Sequence, residues 1–366
     1  MNILVVGAGF SGAVMARRLA EAGHQVLVID KRKHIGGNAF DEFDTHGVLV
    51  HRYGPHIFHT NSKKIFEYLS RFTEWQKYEH RVLSSISGKL YPIPINRTTL
   101  SLLYGRTFTE AEAQAHFDSV RISFEHPKTS EEVVLNSVGK ELCDLFFRGY
   151  TLKQWGLSLG ELSAGVAARI PTRISDDDRY FEDQYQFMPL NGYTKMFENI
   201  LNHPSIEVRL GLDYFQERQN FNFQHLVYTG PIDKFFNYKF GKLPYRSLQF
   251  EFKHLNDSSF QPVATVNYPN EFGYTRITEM KKLTGQICDG TTLVTEYPTN
   301  QGDPYYPIPT LENAATYKKY QELAESEKDT SFVGRLAQYK YFNMDQVVGS
   351  ALEKSEILIA KLHTQI

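Results

Sequence analysis

The apolar residues of this chain change rhythm several times, and each change marks an element. Ile3 to Val6 and Val26 to Ile29 are short apolar runs rich in β-branched residues, which predicts strands, and Ala13 to Ala22 between them reads as a helix. Lys63 to Arg71 predicts a short helix capped by Thr60 or Asn61. His80 to Ile95 holds two strands joined near Ser87-Gly88, with Pro92 and Pro94 marking a boundary. From Thr98 to about Glu161 the pattern turns helical, with polar intervals such as Thr109-Glu110-Ala111-Glu112, so a separate helical insertion is expected. Ile206 to Leu212 alternates as a strand, and Leu226 to Tyr228 predicts another, ending in a tight turn at Thr229-Gly230-Pro231; both can rejoin the first sheet. Four further runs between Tyr245 and Tyr297 (SLQFEF, PVATVNY, YTRITEM and TLVTEYP) predict a mostly antiparallel sheet. A helix over about Leu311 to Ser326, the stretch Phe332 to Ala337 and a last helix from about Met344 to His363 follow.

The first turn carries chemistry. Gly7, Gly9 and Gly12 stand at G-x-G-x-x-G spacing between a strand and a helix, and the second strand ends on Asp30. That combination specifies a dinucleotide-binding βαβ unit. Gly7 permits the turn, Gly9 lets a pyrophosphate approach the backbone, and Gly12 lets helix and strand pack closely. The helix N-terminus offers N–H groups and a positive dipole end to phosphates. Asp30 is placed for a ribose hydroxyl, which favours FAD or NAD over NADP. Lys31 to Asn38 then sets a basic run, including Lys31 and Arg32, before the pair Gly36-Gly37. A second close backbone approach suits FAD, whose flavin half must be buried; a solvated basic turn is the alternative.

The fold expected is therefore α/β: a discontinuous Rossmann-like FAD-binding domain (1–78, 205–240 and 310–366), a helical domain (97–165) and a mostly antiparallel sheet domain (79–96, 166–204 and 241–309). Its 366 residues suffice for two or three domains. A net charge of −2 gives no long-range pull toward nucleic acid or anionic membrane, and neither is expected as a partner. The two cysteines, Cys143 and Cys288, make neither a metal motif nor a disulfide framework, which suits a reducing cytoplasm. The 13 histidines show no zinc spacing, so no metal is expected. The first strand begins almost at Met1, an expectation of no signal peptide. No apolar run reaches the ~18 residues of a membrane span.

Three other stretches hold candidate chemistry. Tyr53 to Thr60 places His56 and His59 after a Gly-Pro turn, beside a cofactor or in a buried loop with satisfied rings. Leu142 to Trp155 sets Phe146, Phe147, Tyr150 and Trp155 largely on one side of a helix, as core or as a nucleobase platform. Arg169 and Arg173 flank a proline turn and suit a diphosphate clamp, unless Arg173 pairs with the acids at 176 to 178. A Gly-Arg turn and a long helix at the end of the chain can return to the flavin.

Taken in order, VGAGFSGAV, KRKHIGGNA, YGPHIFHT, FFRGYTLKQWG, ARIPTR, DDRYF, YTGPIDKFF, YRSLQFE, YTRITE, PYYP and GRLAQYKY resemble the bacterial UDP-galactopyranose mutases over nearly the whole chain. The resemblance implies a homodimeric flavoprotein that interconverts the six- and five-membered rings of a UDP-sugar for galactofuranose-containing glycans. It implies that Arg169 and Arg276 bind the substrate diphosphate, Arg169 from a mobile loop, and that Tyr180, Tyr306 and Tyr341 bond it. Phe146, Phe147, Tyr150, Thr151 and Trp155 would form the uridine wall, and His56 and His59 would stand in the active site. Phe10, Ser11, Asn38, Ile57, Gly334, Arg335 and Met344 would complete the cofactor contacts. In the family's chemistry, N5 of reduced FAD attacks the anomeric carbon as UDP leaves, and the covalent adduct opens through an iminium ion. Asn343 stands where the family usually has aspartate, so the amide keeps hydrogen bonding and loses charge. Related mutases acting on TDP-fucose or UDP-N-acetylgalactosamine are the nearest alternatives, and an amine-oxidase-type flavin oxidoreductase is the more distant one.

Overall fold

Strand Asn2–Val6 lies at the centre of a five-stranded parallel sheet, and the computed structural model describes residues 1–364. Gln365 and Ile366, which the predicted first domain includes, lie outside the described residues. The strand order is Ile206–Leu210, Gln25–Asp30, Asn2–Val6, His225–Tyr228 and Thr330–Phe332, so the two late strands do rejoin the first sheet. Both faces are covered, as an all-parallel sheet requires. Ile3 and Val5 point into a core shared with helices Phe10–Glu21, Gly192–Leu201 and Met344–His363. Leu4 points the other way, to Tyr228, Phe332 and Tyr320 of helix Leu311–Ser326. The first helix begins directly after Gly9, three residues before the apolar run that predicted it.

A seven-stranded sheet is the second body, in the order Tyr306–Pro307, Tyr245–Leu255, Thr291–Thr299, Arg276–Glu279, Thr265–Asn267, Val82–Ile86 and Lys89–Ile93. Only the pairing of Thr265–Asn267 with Val82–Ile86 is parallel. Ser87 and Gly88 both take positive φ, 50° and 76°, in the two-residue hairpin turn. Pro92 is accommodated because its strand is the sheet edge.

The insertion is helical as expected, with helices Arg97–Tyr104, Glu110–Val120, Ser130–Leu142 and Gly149–Trp155 around their own core. Asn96, Thr109 and Thr129 each open a helix with a reciprocal capping box. Gly139 takes φ 74°, and a Cβ there would sit 2.4 Å from the Val120 carbonyl oxygen, so both conformation and space call for glycine. Cys143–Arg148 winds as a π-helix, and that wider turn rotates the aromatic stripe. Phe146 consequently packs edge-on against Tyr91, 5.9 Å between ring centres, in the helical core.

Two expectations need correction. Neither Thr60 nor Asn61 caps the helix Lys63–Ser70: the Ser62 hydroxyl accepts from Ile65 N at 3.4 Å. Thr60 instead accepts from Ser62 N and donates to Asp345. Residues 185–204 were expected with the second sheet but pack on the Rossmann body. Strand Tyr185–Pro189 lies between Phe58–Thr60 and Trp75–Lys77 in a small sheet. The following helix sets Phe197 4.7 Å from Phe10, and the Asp41 carboxylate caps it through the amides of Tyr193 and Thr194. Contiguity in sequence does not reveal a cap supplied from 150 residues away.

Candidate functional site

The glycine turn builds a cradle that a side chain would fill. Gly7 takes φ +108°, and a Cβ on Gly12 would lie 1.8 Å from the Gly7 carbonyl oxygen. The two glycine segments meet: a Cβ on Gly37 would lie 3.0 Å from Gly9 Cα. Gly334, at φ +99°, lies against Ser11, with only 2.3 Å between an added Cβ and the hydroxyl oxygen. The Asp30 carboxylate accepts from Ala8 N at 2.9 Å and Arg32 N at 2.8 Å, which anchors it beside the turn. A cavity of about 1050 Å³ opens over this cradle. Gly7, Gly9, Phe10, Ser11, Asp30, Lys31, Arg32, Gly37, Asn38, His56, Arg335 and Met344 all line it, while Gly12, Ile57 and Gly334 do not. The bare backbone, the ribose-facing acid and the size suit a dinucleotide.

Lys31 and Arg32 do not simply face that cavity. Both pair with Asp303, at 2.6 and 3.0 Å, and Arg32 also donates to Asn38 and stacks on Tyr53. Asp303, in the loop before Tyr306–Pro307, was not singled out from sequence. It therefore ties the end of the parallel sheet to the second body.

Beside the cavity stands a cluster of arginines and tyrosines. Trp155, Tyr306 and Tyr341 pack as a triangle with ring centres 5.4 to 6.2 Å apart. The Arg169 guanidinium lies 4.1 Å from the Tyr341 ring and donates to the Asn343 side-chain oxygen. Arg335 sits 5.5 Å from Tyr306 and 5.8 Å from Tyr341, donating to the carbonyls of Tyr305 and Phe342. Among the described residues neither guanidinium has a carboxylate partner. Asn343 is also the N-cap of the last helix, where its backbone N–H donates to Gln346 Oε1. Two cations thus gather near a positive helix end, an arrangement that an anion completes.

Arg276 completes the group from the second sheet. It stands opposite Glu296, 2.8 Å between Nη2 and Oε1, and Glu296 is 2 % exposed. Burial opposes the guanidinium charge most strongly, but Glu296, Tyr150 and Tyr306 together outweigh it and hold the group well above its ordinary value. Arg276 Nε is buried without a partner, and so is the side-chain oxygen of Asn267 directly across the strands. Buried polar atoms are nearly always bonded, and a ligand that supplied the missing bond would satisfy these two. Tyr150, Tyr180 and Tyr306 share this environment, their hydroxyls pushed above the usual value by burial.

The histidines divide into two sets. His56 lines the cavity, its Nδ1 2.9 Å from the Gly54 carbonyl, and its backbone N–H donates to His51 Nδ1. Burial pushes His51 down to about 4, and His56 and His80 to about 3. Above the unfolded value near 6.5 these rings are neutral in both states. On acidification the unfolded chain binds protons that the folded one refuses. Each ring should therefore remove about 1.4 kcal/mol of stability per pH unit below pH ~6. Urea midpoints measured at falling pH should drop steadily, and a flat profile from pH ~7 to ~4.5 would contradict this assignment. His59 is separate: its Nδ1 donates to Asp183 at 2.9 Å and its ring lies flat on Phe181, 3.7 Å away.

Some predicted residues lie elsewhere. Arg173 is no clamp: it is buried, donating to Glu182 and to the carbonyls of Asp177 and Arg179. Phe146 is buried in the helical core, Phe147 packs partly buried at its margin as Tyr180 does, and Tyr150 and Trp155 join the arginines. Thr151 is buried between them in the same helix. Sequence reasoning missed Asn267, Glu296, Asp183 and Asp303. An acid inside the strand-like TLVTEYP was a usable signal for Glu296; Asp183 was hidden in an acidic stretch. Among the described residues no cluster of His, Cys, Asp or Glu suits a metal, and no helix is long and apolar enough to cross a membrane.

Comparison with known proteins identifies the family. The profile of the UDP-galactopyranose mutase family matches residues 145–341, and that of NAD(P)-binding Rossmann-like domains matches residues 5–72. A probable UDP-galactopyranose mutase from Klebsiella pneumoniae is 40% identical over 100% of this chain and 96% of its own. A dTDP-fucopyranose mutase from Escherichia coli is 37% identical over 98% of both. The crystal structure of a reduced UDP-galactopyranose mutase shares the fold with a TM-score of 0.79 at 16% identity, covering 98% of this chain and 95% of that one. With a cofactor cradle, an anion-ready arginine cluster and full-length relatives in agreement, the chain belongs to the UDP-galactopyranose mutase family of isomerases.

Proposed function

We propose that the protein interconverts UDP-galactopyranose and UDP-galactofuranose with reduced FAD as its cofactor. The observation that carries this reading is the pair of guanidiniums, Arg169 and Arg335, held on Tyr306 and Tyr341 without a carboxylate beside a dinucleotide cavity. FAD is favoured over NAD by the second glycine segment, Gly36-Gly37, which closes on Gly9. Bound in its reduced state, the flavin supplies a nucleophilic ring nitrogen to the anomeric carbon.

The protein's own residues bind, orient and neutralise. Arg169, Arg276 and Arg335 meet the charge that grows on the diphosphate as the glycosidic bond breaks. Tyr150, Tyr180 and Tyr306 stay protonated at neutral pH and so remain donors to phosphate or sugar oxygens. Trp155 and Tyr150 offer flat surfaces to the nucleobase. The neutral His56, with Nδ1 turned to Gly54, leaves Nε2 as an acceptor toward the cavity.

Product analysis after dithionite reduction tests the activity, on UDP-galactose, UDP-N-acetylgalactosamine and dTDP-fucose. Conversion of UDP-galactose only when the flavin is reduced supports the proposal. Turnover without reductant, with oxygen consumed, would indicate an oxidase. A dTDP-fucose mutase is the second reading, favoured by the relative of that name and by Asn343, which meets Arg169 with a neutral amide. Arg169 is exposed and contacts only the Asn343 amide and the Tyr341 ring, so Arg169→Ala should lower the melting temperature by no more than a few degrees. It should lower kcat/KM about 100-fold. Equal kcat/KM in the variant and the parent protein would remove Arg169 from the site.

A further inference from the structure

We infer that Asp183 is a positioning residue that holds His59 as the Nδ1–H imidazole and thereby turns its bare Nε2 toward a sugar hydroxyl of the substrate. This rests on the proposed activity only in naming the sugar as the group that Nε2 meets.

The mount is built in three parts. Strand Phe58–Thr60 buries Phe58 and Thr60 completely on one side and so turns His59 to the other. There the ring lies on Phe181, centroids 3.7 Å apart and planes within 12°, which fixes its tilt. Asp183 then accepts from Nδ1 at 2.9 Å, which fixes rotation about the ring axis. A carboxylate can only accept, so the proton on the neutral ring belongs to Nδ1 and Nε2 carries the lone pair.

Gln186 fastens both supports. It stands directly opposite His59 in the antiparallel pairing and is buried. Its amide nitrogen donates to the carbonyls of Phe181, at 3.2 Å, and Asp183, at 2.9 Å. One side chain thus locks the two residues that orient the imidazole. Asp183 has no other charged partner among the described residues, so nothing competes with His59 for its oxygens. The ring is 12 % exposed, enough for a ligand to reach it. On the side of the second sheet stand His80, 6.1 Å from Phe181, and beyond it Arg276. Asp345, on the last helix, is bonded to Thr60 on the far face of the strand.

Nitrogen-15 spectra of histidine-labelled, FAD-loaded protein read the tautomer directly. The parent protein and Asp183→Asn, whose amide oxygen can still accept, should show the neutral His59 ring protonated at Nδ1. Asp183→Ala should show both tautomers. In the same proteins Asp183→Ala should weaken binding of UDP-galactose about tenfold, as loss of one hydrogen bond predicts. Binding of UDP should stay within about twofold, and Asp183→Asn should restore most of the loss. Protonation of the parent ring at Nε2, an unchanged tautomer in Asp183→Ala, or equal loss of UDP and UDP-galactose binding would each overturn the inference. If the spectra and binding behave as expected but no nucleotide sugar is isomerised, the proposed activity falls and the positioning role stands.

Discussion

Arg276→Ala is expected to lose both stability and turnover, and the two losses can be separated. Removing the guanidinium leaves Glu296, 2 % exposed, as an uncompensated buried carboxylate. Breaking such a pair costs about 3–5 kcal/mol, well beyond an ordinary surface substitution. The remedy is to neutralise the survivor: Arg276→Ala combined with Glu296→Gln should regain most of that stability, read as urea midpoints at constant m-value. Turnover should not return with it. With Arg276 acting on the substrate diphosphate, kcat/KM should fall about 1000-fold in the single and the double variant alike. Recovery of turnover in the double variant would reduce Arg276 to the partner of Glu296 and take it out of the substrate site.

Gly9→Ala and Gly12→Ala should fail in opposite ways. At Gly12 the new methyl would press on the carbonyl of Gly7, 1.8 Å from its oxygen, and backbone cannot step aside. Apoprotein stability should fall by about 3 kcal/mol. At Gly9 the backbone is ordinary, φ −82°, and the methyl meets only Gly37, at ordinary contact distances of 3.5 Å from Cα and 3.9 Å from N. The apoprotein should melt where the parent does. The methyl nonetheless occupies the floor of the cavity, where a pyrophosphate needs bare backbone. The FAD dissociation constant, from flavin fluorescence titration, should rise at least about 100-fold. Parent-like FAD binding by Gly9→Ala would show that the cofactor does not cross that turn.

The contrast between these glycines explains what was legible beforehand. Gly7, Gly9, Gly12 and Asp30 act within thirty residues of one another, and their spacing alone encodes strand, turn and helix. The late strands were legible as strands, with a destination that followed from the open edges of the first sheet. Arg276 had no local signature. It became a candidate through resemblance to a family, and its partners Glu296 and Asn267 became visible only once the strands were paired. The same holds for Asp183, whose function depends on which residue lies opposite Gln186. Arg173 shows the converse, since its spacing from Arg169 suited a clamp until its Nε and Nη1 proved to be engaged by Glu182 and two backbone carbonyls in a buried position. The π-helix was illegible because nothing in Leu142 to Trp155 announces a wider turn, yet that turn decides which aromatic rings reach the cleft.

The order of strands in the parallel sheet also bears on how the chain matures during synthesis. Asn2–Val6 is made first, but its outer neighbour His225–Tyr228 leaves the ribosome roughly 220 residues later, about 10 to 45 s at ordinary elongation speeds. Through that interval the nascent β-strand has one exposed edge, a row of unpaired N–H and C=O groups open to other chains. Chaperone demand should therefore concentrate on the growing polypeptide before its last third emerges.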